Sequence, residues 1–243
     1  MPTTQPVSTE APLLRRLESL CRGADLGGLA IRLADLAELV GPTMASLEGS
    51  FPRLRPEASA VERGASHLVD RGGKRLRPMC VALGARLGTG MDERARELAI
   101  AVELVHSATL LHDDVVDLGE TRRGAPTSRM IFGNAVSIFA GDWLLVEALK
   151  RVRRADVDGV LERILDVIEE MILAESLQLE RRGRLDTTRA QWFTIAEGKT
   201  AALFRWAMYA GARAGGLDKV HCDILVSYGT DLGIAFQATD DLL

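Results

Sequence analysis

From about residue 11 onward, apolar residues in this chain recur at three- and four-residue intervals, and runs of alternating Val, Ile, Thr and aromatic residues are missing. That period lines apolar side chains along one face of an α-helix, so the expected fold class is all-α. The spacing predicts helices over roughly 12–20, 28–48, 57–70, 75–88, 92–117, 134–154, 156–181, 188–214 and 217–243, with breaks where Gly, Pro and polar residues cluster. Long helices on short connections bury their apolar stripes against one another as a bundle, and bundle ligand sites are built from inward-facing side chains. A chain of 243 residues, 47% of them hydrophobic, can bury one large core. The expected organisation is a flexible N-terminus over 1–12 and one domain over 13–243.

Several function classes fall away. Acidic residues outnumber basic ones by 34 to 30, and a net charge of -4 gives no whole-molecule field to attract nucleic acid or an anionic membrane. The most apolar long segment, 133–149, is interrupted by Asp142, so no membrane span is expected. The N-terminus lacks the basic start and apolar run of a signal peptide, and Cys21, Cys80 and Cys222 lie far apart without a metal-binding pattern. These features suit a reducing cytoplasm.

Polar residues at inward positions are therefore the informative ones. The segment 98–117 is apolar enough for a core helix yet ends in Asp113, Asp114 and Asp117. At about 100° per residue Asp113 and Asp117 share a face a turn apart, with His106 two turns below. Apposed carboxylates at a helix C-terminus repel each other and the dipole, a cost that a cation offsets. Oxygen-only ligands favour Mg²⁺ or Ca²⁺, and Mg²⁺ characteristically joins carboxylates to phosphates. A lone DDxxD reads equally as a solvated acidic helix end.

Basic residues flank this cluster. Arg122 and Arg123 lie just beyond it in ETRRGAPT at 120–127, and Lys74, Arg75 and Arg77 lie in GGKRLRP at 72–78, opening a helix. Guanidinium forks and free N–H groups at a helix start bind phosphate oxygens. Either loop alone is ordinarily solvated surface. Both beside an inward acidic helix are what a diphosphate requires.

The chain resembles the trans-isoprenyl diphosphate synthase family, long-chain type such as octaprenyl or heptaprenyl diphosphate synthase. The resemblance rests on GGKRLRP at 72–78, ELVHSATLLHDDVVD at 103–117, ETRRGAPT at 120–127, GNAVSIFAGDWLL at 133–145, GKTAALF at 198–204 and YGTDLGIAFQATDDLL at 228–243. It implies an isoprenoid synthase helical bundle around a central cavity. It implies that Asp113, Asp114 and Asp117 form a first Mg²⁺-binding aspartate motif, and that Asp240 and Asp241 begin a second. Lys74, Arg77, His106 and Arg123 resemble an isopentenyl diphosphate site; Arg122, Lys199, Thr200 and Gln237 resemble groups that hold an allylic diphosphate. Condensation of the two substrates by a homodimer is the implied activity, with no side-chain nucleophile.

In this family bulky aromatics just upstream of the first motif stop chain growth. Here those positions hold Ala108 and Thr109, which implies a product of more than about five isoprene units, Thr109 lying one helical turn below Asp113. Small residues there also allow close helix packing. The second motif stops one residue short of a third aspartate, so the expectation is a C-terminally truncated chain lacking the family's last helices. Two alternatives are a class I terpene cyclase, disfavoured by Lys74, Arg77 and FQATDD, and a non-catalytic subunit of a heteromeric synthase.

Overall fold

The computed structural model describes residues 12–51 and 58–242. The expected flexible segment falls, up to residue 11, outside the described residues; α1 opens at Pro12. Contacts divide the chain into two compact units, Met1–Pro52 and Arg53–Leu243. The first is a pair of packed helices, α1 (Pro12–Gly23) and α2 (Gly27–Glu48), with Asp25 turning the chain at φ 58°.

The second unit holds α3 (Ala60–Val69), α4 (Leu76–Arg86), α5 (Glu93–Val116), α6 (Ser128–Phe132), α7 (Asn134–Ala155), α8 (Val160–Arg181), α9 (Arg189–Ile195), a π-helical turn (Ala196–Ala201), α10 (Ala202–Ala214) and α11 (Lys219–Asp240). The all-α expectation holds. Side-chain caps set several starts: Ser59 and Thr188 form reciprocal capping boxes with Glu62 and Gln191, while Asp92 and Asp218 accept the backbone N–H groups of Ala95 and His221. The helix expected from 156 starts at Val160, because Asp156 and Gly159 both take positive φ.

α5 is the centre of this unit. Leu98 to Val102, Leu104 and Val105 are all at most 1% exposed, the signature of a helix surrounded on every side. α7 covers it most extensively, and α3, α4 and α10 pack on its other faces. Its buried Ala95, Ala99, Ala101 and Ala108 let these neighbours come close.

Glycines bring α4 and α10 still closer. A Cβ on Gly211 would lie 2.2 Å from the Val81 carbonyl oxygen, and one on Gly215 would lie 2.7 Å from that of Ala85. Gly211→Ala is expected to cost about 3 kcal/mol, because the clash is with backbone that no rotamer change relieves. Calorimetry should show a melting temperature lowered by about 6–12 °C.

The sequence period missed two small features. Residues Thr121–Arg122 (β1) and Ala125–Pro126 (β2) pair antiparallel, joined at Arg123 and Gly124 with φ 52° and 74°. Positive φ at both central residues matches the twist of a tight hairpin, and strands of two residues are too short to show alternation. The helix expected over 188–214 is interrupted by the π-helical turn, where Lys199 and Thr200 sit.

Candidate active site

A cavity of about 1050 Å³ opens between α4, α5, α8, the π-helical turn and α11. Its lining includes the charged Lys74, Arg77, Asp113, Arg122, Arg123, Lys199 and Asp240 and the apolar Ala108, Leu145, Ile168, Met171 and Ile172. Charged and apolar groups lining one cavity fit a ligand with an anionic head and a hydrocarbon tail.

The five carboxylates read from the sequence do different things. Asp113 faces the cavity, and burial pushes its carboxyl up to about 6; Glu175 and Asp117 push the same way, while Lys199 and Arg122 oppose them. Asp114 is buried on another face of α5 and accepts a hydrogen bond from Arg122 Nε at 2.8 Å. Asp117 ends α5 at the surface in an ion pair with Arg182. Asp240 reaches the cavity from α11. Its neighbour Asp241 points elsewhere, accepting hydrogen bonds from Trp192 Nε1 and Gln237 Nε2, each at 2.8 Å. Adjacent helical residues diverge by about 100°, which accounts for the split.

Among the described residues no three His, Cys, Asp or Glu side chains converge into a ready metal cage. The donor set nevertheless suits Mg²⁺, which keeps several waters and takes one or two carboxylates together with phosphate oxygens. The raised Asp113 carboxyl is the observation that fits: a cation beside it would offset the repulsion from Glu175 and Asp117.

The cations line the same cavity. Arg77 lies 4.5 Å over the Phe204 ring with its Nε buried and unpartnered, and burial lowers its pKa. Lys74 lies 5.5 Å from the centre of the Phe236 ring. His106 is held well below its usual pKa by burial and then by Arg77, Arg123, Arg122 and Arg75, so it is neutral at pH 7. Arg123 donates to the Leu68 and Gly72 carbonyls. Thr200 Oγ1 donates to Gln237 Oε1 at 2.6 Å, joining the π-helical turn to α11.

Arg75 departs from expectation. It lines the cavity, but its guanidinium is turned inward: it takes φ 48° just before α4 and is buried, bonded to Glu103 at 2.8 Å and to the Val69 carbonyl at 3.3 Å. Glu103 went unread although it is a lone acid within an apolar helix, which was its signal. Glu175, 2.5 Å from Lys199, also went unread; α8 carries several acids, and nothing in their spacing singles this one out.

Residues 58–243 match the sequence model of a family described as polyprenyl synthetase. Heptaprenyl diphosphate synthase component 2 of Geobacillus stearothermophilus is 31% identical over 88% of this chain and 67% of its own length. Geranylgeranyl diphosphate synthase of Saccharolobus solfataricus is 35% identical over 75% of this chain and 57% of its own length. The crystal structure of a polyprenyl synthase from Caulobacter crescentus CB15, complexed with calcium and isoprenyl diphosphate, superposes with a TM-score of 0.79 at 37% identity, covering 85% of this chain and 63% of that one. The chain thus spans about three fifths to two thirds of the length of these proteins.

Proposed function

The chain belongs to the polyprenyl synthetase family, and from that premise we propose that it condenses isopentenyl diphosphate with an allylic prenyl diphosphate. The observation that carries this reading is a cavity lined by acidic, basic and apolar groups together. Lys199, Thr200, Gln237 and Arg122 hold the allylic diphosphate with its tail directed down. Lys74, Arg77, Arg123 and the neutral His106 hold isopentenyl diphosphate alongside. Asp113, Asp117 and Asp240 would hold Mg²⁺, which when bound stabilises negative charge on the departing pyrophosphate.

The allylic C–O bond breaks with its electron pair leaving on pyrophosphate, the isopentenyl double bond attacks the allylic carbon, and the resulting cation gives a proton to the released pyrophosphate to restore a double bond. The chain's own task is to fix the two reacting carbons and screen both diphosphates, which is positioning and electrostatics. Incubation with Mg²⁺, radiolabelled isopentenyl diphosphate and farnesyl or geranylgeranyl diphosphate tests the proposal. Labelled prenyl products that require the metal support it; their absence overturns it.

Within this reading the product is long-chain, beyond about five isoprene units, since the wall one turn below Asp113 is small. Ala108 is buried, and the Thr109 hydroxyl is turned back to the His106 carbonyl at 2.8 Å. Relatives with heptaprenyl and geranylgeranyl names show that membership alone does not set the length. Thr109→Phe is expected to shift products to about three or four units, because a phenyl ring fills the cross-section roughly 5.4 Å below Asp113. Chromatography of the dephosphorylated products reads this directly.

We further propose a homodimer, supported by Phe139 and Val146, exposed at seven-residue spacing on α7. A second reading, a subunit of a heteromeric synthase, is favoured by the word component in one relative's name. Mixing with an intact synthase separates the two, because only a regulatory subunit alters the partner's product distribution.

A further inference from the structure

We infer that Glu175 is a positioning residue that holds the Lys199 ammonium off the Asp113 carboxylate, leaving that carboxylate open to a divalent cation. The inference rests on the reading of Asp113 as part of a cation and diphosphate site.

The geometry begins with two small residues. A Cβ on Gly198 would fall 2.7 Å from Ala174 Cβ and 3.3 Å from the Glu170 carbonyl oxygen, so the π-helical turn lies flush on α8. The next residue on each side is then brought together: Lys199 Nζ stands 2.5 Å from Glu175 Oε2. Asp113 Oδ2 is 4.0 Å from the same ammonium, outside direct contact.

Other charges nearby are already engaged. Glu170, one turn earlier on α8, is paired with Arg205, and Asp117 with Arg182. Lys199 is therefore shared between two carboxylates, and the nearer one holds it. Oε1 of Glu175 is buried with no hydrogen-bond partner, so Lys199 is the only ion-pair partner of this carboxylate among the described residues. Without the Glu175 charge, the ammonium would be free to close on Asp113 and occupy the place of the cation. Lysine suits this arrangement, being a compact charge on a flexible stem that pivots between partners.

Binding of Mn²⁺ alone to the full chain, followed by the paramagnetic resonance of the free ion, tests this in four proteins: wild type, Glu175→Gln, Lys199→Gln and the double variant. Mn²⁺ prefers the same carboxylate donors as Mg²⁺. Glu175→Gln is expected to weaken binding about tenfold, the size of one close, partly buried charge interaction. In the Lys199→Gln background the same change is expected to have less than about a twofold effect, because no ammonium remains to collapse. Equal weakening in both backgrounds would reduce Glu175 to a distant charge and overturn the inference, as would no weakening in either. Glu175→Asp, which withdraws the charge by one methylene, replaces Glu175→Gln if that variant does not fold, with weakening again confined to proteins that keep Lys199. An active wild type with unaltered Mn²⁺ binding across the set defeats this inference alone, whereas a wild type inactive in condensation defeats the reading beneath it.

Discussion

Asp113→Asn is expected to slow condensation by about 10²–10³-fold, the usual loss when a group that stabilises transition-state charge is removed, and at the same time to stabilise the metal-free protein. The two effects have one origin. Burial and the neighbouring Glu175 and Asp117 push this carboxyl from 3.8 up to about 6. A raised carboxyl contributes stability that is complete below about pH 3.8 and lost as the pH rises through about 6. At pH 7 the wild type has therefore lost what a neutral asparagine keeps, a difference of about 3 kcal/mol. Denaturant titrations in chelator should show the wild type losing stability between pH 4 and 6 relative to Asp113→Asn. Parallel curves would mean that the carboxylate is not strained in the free protein, and the argument for a cation beside it would weaken accordingly.

Glu103→Ala is expected to be the most destabilising of the substitutions considered, by about 3–5 kcal/mol, since it breaks the 2.8 Å ion pair between two buried groups, Glu103 and Arg75. A melting temperature lower by about 10 °C or more is the corresponding readout. Arg75→Met/Glu103→Leu, which removes both charges, should recover most of the loss. The pair also sets function, because Arg75 anchors the turn that carries Lys74 on one side and Arg77 on the other. In any Glu103→Ala protein that remains folded, the KM for isopentenyl diphosphate is expected to rise more than kcat falls.

The helices were legible because a 3.6-residue period survives in any amphipathic segment, and Ser59, Asp92 and Asp218 mark starts by ordinary capping chemistry. The cavity's membership was only partly legible. Asp113 and His106 share a stripe seven residues apart, and both line the cavity, as helical spacing implied. Thr200 and Gln237 meet across 37 residues of sequence, a distance over which period carries no information; only family likeness brought them together. The partners of Asp117 and Asp241, Arg182 and Trp192, were not legible. Those partners come from the segment after α8 and from α9, whose tertiary placement no local pattern encodes. Arg75 shows the same limit: three basic residues in one loop look alike until a left-handed backbone turns one of them inward.

The π-helical turn between α9 and α10 has a mechanical consequence. A π-helical stretch accommodates an extra residue in a helix, and each residue turns the chain by about 100°. α10 is locked in place by the buried Phe204 and Trp206, while α9 carries Trp192 to its hydrogen bond with Asp241 at the end of α11. The bulge is thus a phase offset between a shaft fixed in the core and a blade set against the end of α11. Taking one residue out of 196–201 would give a more regular helix and swing Trp192 and Lys199 about a quarter turn from the groups they now meet.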